Sequence, residues 1–535
     1  MIIPFILEKA VSLYPDKEAV VSGEKRFTYE QFADRTYRLA NSLRSMNIFK
    51  GDRVAILHQN SHEYLESYFA LAQLGGILVP LNFRLSPKEL AFILKDSGAG
   101  IMIASARFRD KVKSILEMET FLSRIIWAGA GDIDKSLESF DYEDLIDSAQ
   151  NSPPPIPLLY DDDIAHIYYT SGTTGHPKGV MLSHRNICVH ALAAIAELKL
   201  DDHDNWIHIA PLFHLADAWA TFAVTWVGGK HIMAPDFDPP LIFSLMREED
   251  VTITNMIPTM LNMLINSPNV ESLEFPALRT ILSGGSPIAP EIVKKTMETF
   301  RCEYIQTYGM TETSPYLTVS ILKKKLRELS AEERLNYKSK TGRPFIGTLL
   351  KVIRENGTEV KANNKEVGEI IVKGDIVTKG YWNRPEETSD TIKNGWLYTG
   401  DLAVIDKEGY VNIVDRKKDM IITGGENVYS IEVENILYSH PAVLEAAVIG
   451  IPDPKWGEAI KAVVVLKPGA TAAEHEIIKY CKNYIAGYKT PKSVDFVSEL
   501  PKTGSGKIYK KKIKEMYILN KDSRVRGVRD SSEKS

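Results

Sequence analysis

The chain has 535 residues with a formal net charge of −5 at pH 7, a length that allows several domains and a large buried core. Its 44% hydrophobic and 25% charged residues are typical of a globular protein. This composition argues against a nucleic-acid partner, which would need a basic face, and no apolar run approaches the ~20 residues that span a bilayer.

The N-terminal sequence MIIPFILEKA predicts the start of a helix rather than a secretory signal, because no basic region precedes its apolar residues and no small-residue cleavage site follows them. The three cysteines, Cys188, Cys302 and Cys481, are too far apart for a metal-ligand or redox spacing, which is typical of a reducing compartment. The last residues, EKS, do not form the C-terminal peroxisomal address. We therefore expect a cytoplasmic protein.

Helical and strand patterns alternate along the first part of the chain. Apolar side chains at helical spacing predict a helix over 61–75. Ser86 and Glu89 match a capping box around Pro87 and predict the start of another helix. Short strand-like runs lie between such segments, at 53–57, 164–169, 206–210, 251–257 and 280–282. This alternation predicts α/β layers with largely parallel sheets.

Two later segments are predicted to be connectors or surface elements. The proline-rich stretch at 151–157 predicts an extended connector. The charged segment over 323–340, with a capping box at Ser330 and Glu333, predicts a solvated surface helix rather than a binding surface. We assign no chemistry to either segment.

The chain is predicted to divide into two structured domains. Residues 395–410 are turn-rich and strand-like, and beyond Asp415 a smaller unit begins with a strand, a glycine turn and a helix. We expect a large N-terminal α/β domain over 1–415, with layered parallel sheets, helices and a β-rich subdomain, and a small α+β domain over 416–520. The polar residues 521–535 are expected to be disordered.

The sequence TSGTTGHPKG at 170–179 directly follows a predicted strand and is the strongest local signal. Its glycines let backbone amides approach phosphate oxygens, its hydroxyls donate further hydrogen bonds, and Lys178 adds positive charge. The stretch lacks the glycine–lysine–hydroxyl order of a Walker A motif. It therefore predicts a phosphate-binding loop of another kind.

This loop resembles the phosphate loop of the adenylate-forming superfamily, which comprises acyl-CoA synthetases, peptide-synthetase adenylation domains and firefly-type luciferases. Further motifs similar to those of the superfamily follow in its order over essentially the whole chain. They are PLFH at 211–214, SGGSP at 283–287, YGMTE at 308–312, YTGD at 398–401, DRKKDMIITGGENVYSIEVE at 415–434 and PKTGSGKI at 501–508.

The resemblance implies an AMP-forming acid–CoA ligase. Such an enzyme joins a small-molecule carboxylic acid to ATP as an acyl-adenylate, releasing pyrophosphate, and then transfers the acyl group to coenzyme A, releasing AMP. ATP, Mg²⁺ and coenzyme A are the implied cofactors. The expected assembly is a homodimer.

The resemblance also assigns the nucleotide and metal contacts. Glu312 would hold Mg²⁺ on the phosphates with the Thr170 hydroxyl nearby, since a hard cation prefers oxygen ligands. Tyr308 would present its ring to adenine, Asp401 would bind the ribose hydroxyls, and Arg416 would assist there. Taken alone, the two acids would be ordinary turn residues and the tyrosine a core aromatic. The other implied contacts are Ser171, Gly172, Thr173, Thr174, Gly175, Lys178, Gly284, Gly285, Ser286, Gly309 and Thr311.

By the same resemblance, the small domain would be a mobile lid that delivers two groups to one site in turn. Lys507 would neutralise charge between the carboxylate and the α-phosphate as the adenylate forms. Gly424 and Gly425 would line the passage for the thiol arm of coenzyme A. Lys418 matches the hinge position, and Trp456 is either a contact for the CoA nucleotide or a packing residue.

Further residues carry expectations of their own. His214 in PLFH is expected to act catalytically as an aromatic gate between the acyl pocket and the thiol passage, without proton transfer. Lys510 and the lysines at 511, 512 and 514 are expected to be solvated. Ser430, where relatives usually carry proline, is expected to cap the helix that follows it.

The acyl pocket is implied to be mainly apolar, which fits an alkyl or aryl acid. Amino-acid-activating relatives carry an aspartate at the position that matches Leu215, and leucine cannot bind an ammonium group. Asp217 lies close by, and a shifted alignment would weaken this inference. Asn427 stands where long-chain relatives often carry tryptophan. The implied wall is Phe213, His214, Leu215, Trp219, Asn255, Met256, Gly284 and Met310.

We therefore expect a ligase for a medium- or long-chain fatty acid, with an aryl acid such as a benzoate or cinnamate as the next hypothesis. A stand-alone adenylation enzyme that loads a carrier protein stays open, although no carrier domain is evident in the sequence. A luciferase-like oxidation is a more distant alternative. An inactive nucleotide-binding scaffold is disfavoured because the loop at 170–179, Glu312, Asp401 and Lys507 are all intact.

Overall fold

The computed structural model describes residues 1–129, 137–170, 177–286, 288–502 and 508–518. Besides the helices named in the next sentence, residues 510–518 are also helical. In this described part of the chain the helices are α1 Pro4–Leu13, α2 Tyr29–Ser45, α3 His62–Leu74, α4 Pro87–Ser97, α5 Arg109–Leu116, α6 Tyr142–Ser148, α7 His184–Leu198, α8 Leu215–Val227, α9 Pro239–Glu248, α10 Pro258–Ile265, α11 Pro290–Phe300, α12 Ala331–Ser339, α13 Pro385–Thr391, α14 Ser430–Ser439 and α15 Glu474–Lys482.

The strands of the same residues belong to four sheets. They are β1 Glu18–Ser22, β2 Lys25–Thr28, β3 Arg53–Leu57, β4 Ile77–Pro80, β5 Ile101–Ser105, β6 Arg124–Ala128, β7 Glu138–Asp141, β8 Ile164–Thr170, β9 Lys178–Ser183, β10 Asn205–His208, β11 Lys230–Met233, β12 Ile253–Met256, β13 Thr280–Ser283, β14 Glu303–Gly309, β15 Tyr316–Val319, β16 Arg343–Pro344, β17 Leu349–Ile353, β18 Gly368–Lys373, β19 Gly380–Tyr381, β20 Ile392–Lys393, β21 Trp396–Ile405, β22 Val411–Arg416, β23 Ile421–Thr423, β24 Glu426–Val428, β25 Val443–Asp453, β26 Gly457–Leu466 and β27 Ser493–Phe496.

Two large sheets are mainly parallel. The first has the order β19-β9-β8-β4-β3-β5-β6-β7, in which the strands from β8 to β7 are parallel and β9 runs antiparallel to β8. The second has the order β16-β15-β14-β13-β12-β10-β11-β1-β2, with a parallel block from β14 to β1. The prediction of layered parallel sheets is confirmed.

The largest apolar core lies between these two sheets, around α3, α7 and α8. Val54 and Ile56 enter it from the first sheet, and Trp206 and Ile253 enter it from the second. The opposite face of the first sheet packs on α4 and α5, and that of the second packs on α9, α10 and α11. Both sheets are therefore covered on both faces, as parallel strands require.

Two smaller sheets follow in the chain. The third is antiparallel, with the order β17-β18-β21-β20 and β22 paired to β21. The fourth has the order β24-β23-β26-β25 with β27 parallel to β26, and α14 and α15 pack on it. We call the fourth sheet, its two helices and the helix over 510–518 the C-terminal unit. The expected β-rich subdomain and small α+β unit are both present.

Most predicted elements form where the sequence indicates. Ser86 and Glu89 make the predicted capping box at the start of α4, and the stretch 151–157 has no helix or strand. The segment 323–340 is only partly as expected. It contains a 3-10 turn and α12, but Lys338 and Lys340 near its end are buried beside the carboxylates of Glu303 and Asp406.

Candidate active site

A cleft of about 1420 Å³ lies between the carboxyl ends of the parallel strands and the C-terminal unit. Thr170 at the end of β8 and Gly309 at the end of β14 line it from the two large sheets. Asp401 lines it from the third sheet, and Lys418 and Ile508 line it from the side of the C-terminal unit. In open α/β sheets, ligands bind outside the carboxyl ends of the strands, so this cleft is the expected place for a site.

The predicted phosphate loop is held at both ends by a strand pair. Thr170, the last residue of β8, pairs in register with Lys178, the first residue of β9. Both residues line the cleft. The Lys178 ammonium forms an ion pair with Glu387 and lies 5.4 Å from the centre of the Tyr381 ring. Residues 171–176 lie outside the described residues, so the structure gives the position of the loop's ends alone.

Glu312 lies in the turn that follows β14 and is 7% exposed. The Tyr381 hydroxyl donates to Glu312 Oε1 over 2.9 Å. Burial raises the pKa of Glu312, and the hydrogen bond from Tyr381 acts in the opposite direction. Glu312 and Thr170 offer a carboxylate and a hydroxyl to the same cleft, and Mg²⁺ prefers oxygen ligands of this kind. The donor set therefore fits the ion that the sequence predicts.

Asp401 is held by two side chains from different strands. Its Oδ2 accepts a hydrogen bond of 2.7 Å from the Tyr308 hydroxyl, and its Oδ1 lies 3.2 Å from Arg416 Nε. Asp401 and Arg416 are also direct cross-strand partners in β21 and β22. Burial and then the adjacent Asp401 carboxylate raise the pKa of Tyr308. The carboxylate is thus fixed in position without any ligand.

His214 is the residue that precedes α8, and it lines the cleft. Its ring lies 4.6 Å, centre to centre, from the ring of Phe213. On the opposite side of the cleft, burial and then the neighbouring Arg416 charge lower the pKa of Lys418. The cleft therefore carries cationic and aromatic groups next to carboxylates, an arrangement suited to a large anionic ligand with a metal ion.

Two family models match the chain along most of its length. One is described as "AMP-binding enzyme" and matches residues 7–382. The other is described as "AMP-binding enzyme C-terminal domain" and matches residues 432–507. The chain belongs to the AMP-binding enzyme family.

Individual relatives cover nearly the whole enzyme. A "Feruloyl-CoA synthase" of Amycolatopsis sp is 38% identical over 504 residues, with 94% of this chain and 96% of the relative covered. A "Long-chain-fatty-acid--CoA ligase" of Mycobacterium tuberculosis is 36% identical over 518 residues, covering 96% and 98%. The structure of ATP-bound MatB from Rhodopseudomonas palustris superposes with a TM-score of 0.85 at 30% identity, covering 97% and 99%. The enzyme is an AMP-forming acid–CoA ligase that uses ATP and coenzyme A.

Among its described residues, no helix combines the length and apolarity needed to cross a membrane.

The structure brings most of the predicted site residues of the enzyme to this one cleft. Residues 171–175 and Lys507 lie outside the described residues, although Ile508, the next residue, lines the cleft. The Tyr308 ring is not among the lining residues, so its role against adenine stays a prediction. Those that line the cleft are Thr170, Lys178, His214, Gly284, Gly285, Ser286, Gly309, Thr311, Glu312, Asp401, Arg416 and Lys418.

Two of the motif glycines are required by packing, whether or not a nucleotide binds. A Cβ on Gly284 would clash with the side chain and carbonyl of Thr307 on the neighbouring strand. A Cβ on Gly309 would clash with the carbonyl of Pro315. The sequence motifs assigned these two glycines to nucleotide binding alone. The structure shows that close packing against neighbouring backbone also requires them.

Gly424, Gly425 and Trp456 form one surface of the C-terminal unit and do not line the cleft. The two glycines make the tight turn between β23 and β24, with φ of +62° and +85°, in the left-handed region that favours glycine. The Gly424 N–H donates to the Trp456 carbonyl over 2.8 Å. In this conformation, therefore, the predicted coenzyme A contacts are grouped together but lie away from the nucleotide residues.

The implied acyl wall needs correction. Phe213, Trp219 and Met256 are buried in the apolar cores and do not line the cleft. The Phe213 ring packs against His214 and the Trp219 ring packs against Tyr316, and both of these partners line the cleft. The predicted wall residues that do line it are His214, Leu215, Asn255, Gly284 and Met310, joined by Ala216, Met260, Ile288, Ala289, Ile292 and Tyr316.

Asp217, which a shifted alignment would have placed in the pocket, is fully buried. Its Oδ1 accepts from Trp206 Nε1 over 3.1 Å, and its Oδ2 lies 2.8 Å from His208 Nδ1. Both carboxylate oxygens of Asp217 therefore already have hydrogen-bond partners in the core around α8. An amino-acid substrate would need a carboxylate to bind its ammonium group, and Asp217 does not offer one.

Two predictions about the C-terminal unit are wrong. Ser430 does not cap α14; it is the first residue of the helix, and its N–H and hydroxyl both donate to Asp415 at the end of β22. Lys510 is not a solvated charge, since its ammonium lies 2.7 Å from both Ser430 Oγ and Glu434 Oε1. The physical reason is the same for both: Asp415 and Glu434 are buried carboxylates that need donors.

Sequence reasoning also missed Tyr381. Its hydroxyl is the donor to Glu312, but the two residues are 69 positions apart in the chain. The pairing of β19 with β9 brings Tyr381 next to the phosphate hairpin. No local spacing signals such a contact, which depends on how a two-residue strand docks on the edge of the first sheet.

Proposed function

We propose that the acid substrate is a medium- or long-chain fatty acid. A carboxylate oxygen attacks the α-phosphorus of ATP and pyrophosphate leaves; the thiolate of coenzyme A then attacks the acyl carbon and AMP leaves. The observation that carries the choice of acid is the commitment of Asp217 to Trp206 and His208. With that carboxylate engaged beside the apolar Leu215, an alkyl chain is favoured over an amino acid.

An aryl acid is the second candidate. It is favoured by the 38% identity to a relative named feruloyl-CoA synthase, a protein whose named product contains an aromatic acyl group. The mixed wall of Tyr316 and aliphatic side chains suits a ring as well as an alkyl chain. The two candidates share the reaction and differ only in the shape of the acyl group.

For the first half-reaction, we propose that Glu312 and Thr170 hold Mg²⁺, which would neutralise charge on the phosphates. Asp401 would accept hydrogen bonds from the ribose hydroxyls, a role supported by its fixed position against Tyr308 and Arg416. The loop at 170–178 would bind the phosphates with its amides, hydroxyls and lysine. Tyr308, Gly284, Gly285 and Ser286 would surround the adenine.

For both half-reactions, we propose that residues 416–520 act as a mobile lid on the domain formed by 1–415. Lys507 would lie near the acyl-phosphate centre in the first step, which is supported by Ile508 and Lys510 in the cleft wall. Rotation about Lys418 would then bring Gly424 and Trp456 to the cleft for coenzyme A, while His214 gates the thiol passage. We also propose a cytoplasmic location and a homodimer, the latter testable by sedimentation.

The test is CoA-dependent release of AMP, measured across fatty, aryl and amino acids with and without Mg²⁺. The proposal expects AMP from alkyl acids of medium or long chain, with a requirement for Mg²⁺. A preference for aryl acids would select the second candidate. Turnover of amino acids in the absence of alkyl or aryl turnover would reject the assignment of the pocket.

A further inference from the structure

A buried side-chain amide lies among apolar residues of the cleft wall. Asn255, the third residue of β12, is 2% exposed and lines the cleft. The neighbouring wall residues Leu215, Ala216 and Met260 are apolar. A buried amide among such residues calls for an explanation, because burying a polar group without a hydrogen-bond partner is unfavourable.

The orientation of this amide is fixed by one of its two ends. Asn255 Nδ2 donates to the Ala216 carbonyl over 2.8 Å. The Ala216 carbonyl also accepts from Trp219 Nε1 over 3.0 Å, and a carbonyl can only accept. The amide cannot therefore be flipped, since that would bring two acceptor oxygens together.

The oxygen of the Asn255 amide can still accept a hydrogen bond. Within the described part of the chain, Asn255 Oδ1 has no hydrogen-bond partner and is shielded from solvent. Most buried polar atoms in folded proteins are paired. Since the first turn of α8 fixes the amide and the cleft borders the residue, a group that enters the cleft is the natural donor.

We propose that Asn255 is a specificity-determining residue that accepts a hydrogen bond from a hydroxyl group on the acyl chain or ring of the substrate. The inference rests on the proposed function and narrows it to acids that carry such a donor away from the carboxylate. A site that pairs a buried polar group with a substrate hydroxyl discriminates strongly against the analogue that lacks it, because the site's own group is then left unpaired. Alkyl and aryl acids are both compatible, provided that they carry the hydroxyl.

The experiment compares matched acids that differ only in the hydroxyl: an ω-hydroxyalkanoate with the alkanoate of equal length, and 4-hydroxycinnamate with cinnamate. CoA-dependent AMP release gives kcat/KM for each. We expect the wild-type enzyme to favour the hydroxylated member of at least one pair by roughly tenfold or more. In Asn255→Leu, that ratio should fall to about one.

Asn266→Leu is the matched control, since Asn266 ends the neighbouring helix α10, bonds to Asn262 and does not line the cleft; it should keep the wild-type ratio. If the leucine variant does not fold, Asn255→Ala removes the same carbonyl without adding volume. An equal kcat/KM for both members of each pair in the wild type, or an unchanged preference in the Asn255 variants, overturns the inference and leaves the ligase assignment intact. Absence of AMP release with every acid would instead overturn the proposed function and the inference with it.

Discussion

The nucleotide side of the cleft and the C-terminal unit hold their predicted site residues in different ways. Asp401 is held by Tyr308 and Arg416, which come from two other strands. Both contacts are present in the same conformation of the protein. Gly424 and Trp456 instead contact each other across two adjacent hairpins, β23–β24 and β25–β26, and neither residue lines the cleft. One region holds its predicted residues at the cleft; the other does not, and under the proposed lid motion it moves before its residues act there.

This difference indicates that the two half-reactions depend on different parts of the molecule. Groups fixed on the parallel and antiparallel sheets should affect binding of the nucleotide directly, since they need no rearrangement. Under the proposed lid motion, groups on the C-terminal unit should affect one half-reaction at a time, because each would be near the cleft in one arrangement only. Variants on either side can therefore test whether the two regions act in these different ways.

The largest effect is expected from Lys507→Ala. Under its proposed role, Lys507 supplies a charge that acts only as the adenylate forms, so its loss should reduce acid-dependent pyrophosphate exchange by roughly 10²–10³-fold. Thioester formation from supplied acyl-adenylate should change little. The control is Lys512→Ala, an exposed lysine of the same segment. Equal losses in both half-reactions would contradict the division between two arrangements of the C-terminal unit.

A smaller effect is expected from Tyr308→Phe on the fixed side. The variant removes only the hydroxyl that donates to Asp401, and a hydrogen bond to a charged group contributes about 1.5–3 kcal/mol. We expect kcat/KM for ATP to fall by roughly tenfold, in both the exchange assay and the complete reaction. Tyr304→Phe, a buried tyrosine whose hydroxyl bonds to Gln306 instead, should leave the KM for ATP unchanged. A wild-type value in Tyr308→Phe would show that Asp401 does not need this donor.

Lys510→Ala tests the ion pair that joins the helix over 510–518 to Glu434 of α14. Burial raises the pKa of Glu434, and Lys510 opposes that rise. Without Lys510 the pKa of Glu434 should rise further, so the folded state binds its proton more tightly and stability is lost as pH increases. We expect a loss of about 1–3 kcal/mol at neutral pH in urea unfolding, because the buried Glu434 carboxylate loses its partner of opposite charge.

The pH dependence gives this variant its own control. The loss should be smaller at about pH 5 than at about pH 8, because protonation relieves the unpaired carboxylate. Lys511→Ala removes a long, exposed ion pair of 4.0 Å to Glu515 and should cost almost nothing. A loss in Lys510→Ala that is independent of pH would argue against Glu434 as the group that needs it.

The smallest effect is expected from Tyr381→Phe, measured as a shift in a pH profile. Burial raises the pKa of Glu312 and the Tyr381 hydroxyl opposes the rise, so removing the hydroxyl should raise that pKa further. Under the proposed role of Glu312 in holding Mg²⁺, which needs the ionised carboxylate, the acidic limb of kcat/KM for Mg²⁺-ATP should move to higher pH. In Glu312→Gln this limb should disappear. An unchanged limb in Tyr381→Phe would remove Glu312 as its source.

Local patterns in the sequence were enough to predict some parts of the site and not others. The capping box at Ser86 and the strand before Thr170 depend on neighbouring residues, and both form as predicted. The motif order led to Glu312 and Asp401, which the fold brings to one cleft. Signals of this kind operate within a few residues or within a known motif.

The contacts that were missed join residues far apart in the chain. Tyr381 reaches Glu312 through the docking of a short edge strand, and Lys510 reaches Ser430 across 80 positions. In each case the cause is a buried carboxylate that requires a donor, and burial at that level depends on tertiary packing. The same holds for Trp219 and Met256, whose apolar character is equally consistent with a pocket wall and with a core.

The most direct test of the central claim is the position of the Trp456 hairpin during each half-reaction. Spin labels at Lys455→Cys on that hairpin and at the exposed Lys365→Cys, in a Cys302→Ser background, would report the distance by pulsed electron resonance. The account predicts one distance with ATP and a non-reactive acid analogue, and a clearly different one when a stable acyl-adenylate analogue and coenzyme A are bound. A single unchanged distance in both states would contradict a C-terminal unit that serves the cleft in two arrangements.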